Sequence, residues 1–322
     1  MNDSVPRHVR QRAAADLRRA TTLIMRLRGR MTNLLAVVFA ALSSAGAVAQ
    51  GIGSVPVGPI DHIMIRAEQP RTLFTLFTET FELPVAWPLE SRGGVTSGGV
   101  GFGNVNVEAI KFPGQLKAES SLVGFAFEPV STLSDSLAEL HRRGVAYGKL
   151  RPFVSTASDG AAATLWTNVT LSQLSDSDTP MDATLHIFLS EYTPEYVDSK
   201  QRRERLRTAL AHNDGGPLGI DGVVEVTIGT TNPDVSRKLW GELLAPQTSS
   251  TEGFWTVGNG PSIRLVRAEK SAIQGLIIRV RSLGRAEAFL REHGLLGSVS
   301  QGLVMIDSSR VDGLRISLVE NK

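Results

Sequence analysis

The chain has 322 residues, enough for two domains of ordinary size, and its 42% apolar and 20% charged side chains make a globular composition. It contains no cysteine, which excludes disulfides, thiolate metal ligands, cysteine nucleophiles and a lipidated cysteine. The formal charge of +2 is unevenly placed: residues 1–49 hold eight arginines against Asp3 and Asp16, leaving 26 basic and 30 acidic residues in 50–322. A mildly acidic folded part gives no basis for a nucleic-acid partner.

Residues 1–49 read as a leader. Arg26, Arg28 and Arg30 precede an apolar stretch from Leu34 that ends at Ala47-Val48-Ala49, the small residues a signal peptidase needs. That stretch is too short to span a bilayer comfortably, since a spanning helix needs ~20 residues. Arg18-Arg19 is followed by Thr21 and Thr22, where a twin-arginine signal wants apolar residues. The expectation is a general secretory signal, a mature chain from near Gln50, and a secreted or periplasmic protein with no membrane span after cleavage.

From there the chain repeats one order of elements. Ile60–Ile65 alternates like a strand. Pro70 opens a helix carrying Leu73, Phe74, Phe77 and Phe81 at helical spacing, and Pro84 stops it. A glycine-rich hairpin region at 91–104 leads to the alternating Val105–Ile110. Next come a strand at Leu122–Phe127, a helix capped by Ser131 or Thr132 and ended by Gly144, and strands near Ala163–Leu171 and Thr184–Leu189. Lys200–His212 is charged and helix-prone, with Arg202, Arg203, Arg205 and Arg207, and Asn213–Pro217 reads as a hinge. The order then returns: a strand at Glu225–Ile228, a helix from Asn232-Pro233 with Trp240 on its apolar stripe, and a strand at Pro261–Val266. Gly275–Val280, a helix capped by Ser282 and ended by Gly294, and strands at Gly302–Ile306 and Leu314–Val319 complete it. The expected organisation is a first domain at 50–195, a charged linker at 196–216 and a second domain at 217–322.

Several motifs carry less. Asp176, Asp178 and Asp182 lack the glycine and final glutamate of a calcium loop. The cluster Gly93, Gly94, Gly98, Gly99, Gly101 and Gly103 precedes a strand, not the helix a phosphate cradle requires, so tight turns or a lid are expected there. Trp166 and Trp255 are candidates for stacking on an aromatic ligand. No Gly-x-Ser-x-Gly elbow, His-Glu-x-x-His or Walker loop is present.

The four strand–helix–strands modules, best at Ile60–Trp87 and Val100–Pro113, resemble the vicinal oxygen chelate superfamily, the glyoxalase, bleomycin-resistance and extradiol-dioxygenase fold. The resemblance implies an α+β protein of four βαβββ modules paired into two domains, each a curved sheet forming a cup with helices outside. It also implies a divalent metal held by a His or Gln and a Glu of one module with a His and a Glu of its partner. Strand parity puts Ile63, Ile65, Val105, Val107 and Ala109 toward the helix, so His62 and Glu108 face the cup.

The other half of the ligand set departs from the pattern. Gly124 and Phe188 stand where the partner His and final Glu belong, and His186 lies two residues before Phe188 on the same face. In the second domain Glu225, Arg264, Gly275 and Ser317 take the four places, and a guanidinium cannot ligate a metal. His62, Glu108 and His186 are therefore the candidate ligands for Fe, Mn or Zn, with no nucleotide cofactor. Glu225 and Arg264 form either a structural charge pair or a substrate-binding pair in which Arg264 takes a ligand carboxylate. Two functional readings follow from the resemblance: an exported protein that binds a small organic molecule in the first cup with metal-assisted lyase, isomerase or dioxygenase chemistry, or a metal-free binding or sequestering module of the bleomycin-resistance type without catalysis.

Overall fold

The first sheet is built around its longest strand, β1 (Val57–Arg66), whose Ile60, Ile63 and Ile65 are fully buried. The computed structural model describes residues 55–115, 119–156, 161–247 and 253–320; the leader expected over 1–49 lies outside the described residues. After β1, Pro70 starts helix α1 (Pro70–Thr75), which continues as a wider π-type turn at Leu76–Thr80 and seals Phe77 and Phe81 into the core. Strands β2 (Val85–Arg92), β3 (Val95–Gly101) and β4 (Asn106–Lys111) follow. The next module is β5 (Ser121–Pro129), α2 (Leu133–Arg142), β6 (Arg151–Thr156), β7 (Ala162–Thr170) and β8 (His186–Tyr192). These strands form one eight-stranded sheet in the order β2-β3-β4-β1-β5-β8-β7-β6, curved like a cup.

Helix α3 (Ser199–His212) leads into the second sheet. That sheet comprises β9 (Ile220–Thr230), β10 (Phe254–Trp255), β11 (Ser262–Arg267), β12 (Ala272–Val280), β13 (Leu296–Ser300), β14 (Leu303–Ile306) and β15 (Ile316–Glu320). Helix α4 (Pro233–Leu244) follows β9 and α5 (Leu283–Glu292) follows β12. The strand order is β10-β11-β9-β12-β15-β14-β13.

The expected helix signals operate as physical caps. Thr132, Asn232 and Ser282 accept hydrogen bonds from Asp135, Val235 and Arg285 backbone N–H groups at 3.1, 3.3 and 3.3 Å. Gly144 and Gly294 end α2 and α5 with φ of +70° and +65°, the left-handed region that a β-carbon disfavours. Trp240 of α4 is buried against Phe125 and Phe127, with ring centroids 6.2 and 6.5 Å away, so one apolar core runs under both sheets.

The expectation of four complete βαβββ modules making two cups is corrected. The third module supplies only β9, α4, β10 and β11 among the described residues, and β10 is two residues long with two register pairs. The last three strands span five, four and five residues, against six, nine and seven for β6, β7 and β8. The second sheet, built of these shorter strands, stays open and is not strongly curled.

Candidate functional site

Register alone places the site. Trp87, Gly99, Glu108, Met64, Gly124 and His186 occupy one row across β2, β3, β4, β1, β5 and β8. His62 lies one row along, opposite Asn106 and Ala126. Glu108 and His62 are therefore diagonal neighbours on the concave face, and their Oε2 and Nε2 atoms are 3.6 Å apart. Both are buried.

The pair belongs to a longer polar chain. Trp87 donates its indole N–H to Ser97 Oγ at 3.1 Å, and Ser97 donates in a short hydrogen bond to Glu108. On the other side His62 Nδ1 meets Asp61 Oδ2 at 2.8 Å. Tyr192 donates its hydroxyl to the same oxygen at 2.9 Å, and Arg202 donates Nη2 to Asp61 Oδ1 at 2.6 Å. The Arg202 guanidinium lies 4.8 Å from the Tyr192 ring centroid and 5.5 Å from that of Trp87.

A β-bulge makes the Asp61–His62 contact possible. Strict alternation would point neighbouring side chains to opposite faces, but the β1–β5 register shifts between Ile60 and His62. Asn106 Nδ2 donates to the Asp61 carbonyl at 3.0 Å and pins the irregularity.

These neighbours set the charges. For Asp61, burial opposes ionisation most strongly, but the His62 hydrogen bond and the Arg202 charge overcome it and hold the carboxyl well below its usual range. For His62, burial again is the largest influence and opposes the imidazolium. The Asp61 hydrogen bond and the Glu108 and Asp61 charges outweigh it, so His62 titrates above the ordinary imidazole value. Burial, with the Asp61 charge, pushes the Tyr192 phenol well above its ordinary value and keeps it a donor.

His186 does not join this pair. In the sheet it is three strands from Glu108, about 14 Å along the surface. Its Nδ1 sits 3.2 Å from the Ser177 carbonyl, and burial pushes its pKa down. The Phe188 ring packs against both imidazoles, 5.6 Å from His62 and 5.1 Å from His186 between centroids. A β-carbon at Gly124 would lie 1.8 Å from the His186 carbonyl oxygen, so no side chain fits at this position, where the resemblance implied a histidine.

The donor set therefore does not fit a resident metal. His62 Nε2 and Glu108 Oε2 converge as two donors, with Asp61 behind Nδ1, but an aromatic ring stands where a further carboxylate would complete the set. A transition ion needs three protein ligands or more. Among the described residues no group of three or more His, Asp or Glu is placed to hold one.

The second sheet brings Glu225 and Arg264 together as expected: Arg264 Nε donates to Glu225 Oε2 at 2.8 Å, and Thr227 donates to Oε1 at 2.9 Å. Arg279 is paired with Asp221 at 2.7 Å and Arg281 with Asp214. Trp255 is buried, and Trp166 is stacked between Phe153 and Tyr196 at centroid distances of 4.1 and 5.8 Å. The glycine-rich stretch makes β3 and not a lid; Gly99 is required because a β-carbon there would lie 2.5 Å from the Trp87 ring. A cavity of about 310 Å³ lined by Arg142, Arg143, Glu242, Ala245 and Pro246 lies apart from these residues. There Arg143 donates to the Glu242 and Ala245 carbonyls at 2.8 and 2.7 Å and caps α4, a structural use.

Reasoning from sequence missed Asp61, Ser97, Asn106, Tyr192 and Arg202. One signal was available: Arg202, Leu206 and Leu210 recur every fourth residue, and all three are buried on one stripe of α3.

No family profile matches the sequence, and no curated protein matches it. Solved structures do. A hypothetical protein from Staphylococcus aureus superposes with a TM-score of 0.52 at 10% identity, covering 81% of this chain and 99% of its own. Homoprotocatechuate 2,3-dioxygenase from Arthrobacter globiformis gives 0.52 at 10% identity, over 84% and 82% of the two chains. The 2,3-dioxygenase LapB from Pseudomonas sp. KL28 gives 0.51 at 9% identity, over 82% and 92%. The chain thus shares the fold of these 2,3-dioxygenases. Among the described residues no helix is long and apolar enough to cross a membrane.

Proposed function

We propose that this protein binds a small organic molecule without a metal, in the cup of the first sheet, at the mouth beside His62 and Glu108. The observation that carries the reading is the shortfall of donors: His62 and Glu108 converge, but Phe188 stands in the place of a further ligand and no group of three His, Asp or Glu is assembled among the described residues. The half-exposed Trp87 and Tyr192 rings flank the pair and suit a flat, largely apolar guest with one polar group. The fold of ring-cleaving enzymes supports a small-molecule cup in general, and their chemistry does not transfer to a donor set of this kind.

The test has two measurements on purified protein. Metal content after reconstitution with Fe(II), Mn(II) and Zn(II) is expected to stay far below one ion per chain. A thermal-shift screen of hydrophobic aromatics and small acids is expected to return ligands that raise the melting temperature, with the shift reduced in Trp87→Ala. Stoichiometric metal that is lost in His62→Ala overturns the reading. The leader over 1–49 extends the proposal to export, and an exported protein whose N-terminus lies near Gln50 is the expected result.

A further inference from the structure

The second sheet keeps its solvent-side face half-open around a buried carboxylate. Register sets two neighbouring rows on that face: Ser262, Glu225, Ile277, Ser317 and Met305, and beside it Phe254, Arg264, Thr227 and Gly275. Glu225 is buried; the others are half-buried. The opposite face, with Val226, Ile263, Leu276 and Ile316, is committed to the core.

Arg264 is held but not consumed. Its Nε is bonded to Glu225, and its guanidinium lies 4.6 Å from the Phe254 ring centroid. Its side chain is 43% exposed against 9% for Glu225, and its Nη groups have no hydrogen-bond partner among the described residues. Glu225 has both oxygens engaged, by Arg264 and Thr227, so it orients the fork rather than competing for it. Arg315, next to Gly275 and exposed, alternates with buried Ile316 and so shares this face; it has no ion pair among the described residues. Two arginines against one carboxylate leave the face net positive, and Ile277 and Met305 give it an apolar floor.

We propose that this face is a second binding site, for a small carboxylate with an apolar body, with Arg264 receiving the carboxylate on its Nη edge. A planar carboxylate matches the guanidinium fork, which a buried counter-charge and a stacked ring hold in one orientation. The body of the ligand covers Ile277 and Met305. Glu225 is a positioning residue. The inference stands apart from the first-sheet reading, because it uses no residue of that cup.

Isothermal titration of the full chain with benzoate and octanoate, alongside inorganic phosphate and benzyl alcohol, tests it. Saturable binding of at least one carboxylate is expected at millimolar concentration, with phosphate and the uncharged alcohol much weaker. Arg264→Gln is expected to weaken the carboxylate about 10-fold or more, and Arg264→Lys to weaken it as well, because the charge remains and the fork is lost. Arg291→Gln removes the same charge from α5 and is expected to leave affinity unchanged. Should Arg264→Gln fail to fold, as judged by melting and circular dichroism, the double variant Glu225→Gln/Arg264→Gln removes both charges and leaves no unpaired carboxylate, and is expected to show the same loss. The proposal is overturned if neither carboxylate binds, if phosphate binds as well as they do, or if affinity survives in the Arg264 variants.

Discussion

Arg202 and Asp61 are 141 residues apart in the chain and 2.6 Å apart in the fold, both buried. The contact ties α3 into the first sheet at the point where β1 bulges. It also decides the charge of the site: Asp61 stays ionised because Arg202 and His62 face it, and His62 in turn is biased toward the imidazolium.

Removing one partner of a buried pair strands the other charge. Arg202→Met is expected to lower stability by about 3–5 kcal/mol, and the double variant Asp61→Asn/Arg202→Met to recover a large part of it. Midpoints of urea unfolding, compared at constant slope, measure both. Equal losses in the single and double variants would refute the pairing.

The two buried histidines respond to pH in opposite senses. The folded-state pKa of His62 is raised, so its contribution is fully present below the unfolded value of about 6.5 and is lost as pH rises through the higher folded value. His62→Gln should therefore cost more stability near pH 6 than near pH 8.5. The folded-state pKa of His186 is lowered, so the protein loses stability as pH falls below about 6.5, and His186→Gln should flatten that acid limb. Melting temperature against pH for wild type and both variants separates the two.

Gly124 leaves no room for a side chain because the His186 carbonyl oxygen occupies the position. Gly124→Ala is expected to destabilise by at least about 1–3 kcal/mol, the usual cost of overpacking. Gly124→His is expected to destabilise further without creating metal binding.

Chelation supplies a fourth check. Folding free energy depends on a metal only where the folded state holds one. Extended dialysis against a chelator is expected to leave the melting temperature and any ligand-induced shift unchanged.

Much of the architecture was legible in the sequence because its causes are local. Pro70, Thr132, Asn232 and Ser282 start helices through backbone constraint and capping, and Gly144 and Gly294 stop them. Period two alone put His62 and Glu108 on one face, and the matching offsets of Glu225 and Arg264 placed the second pair.

What sequence spacing could not supply was decided by tertiary structure. The bulge that brings Asp61 beside His62 breaks alternation through a pairing with β5, more than sixty residues on. The register of β8 on β5 sets His186 three strands from Glu108, and the pairing of the second sheet leaves it open and not strongly curled. The amino-acid order by itself determined the repeated elements, their faces and the absence of thiol chemistry. Which side chains share protons and charge was settled only when distant strands and α3 came together, because electrostatic and hydrogen-bond partners depend on distance in space and not on separation along the chain.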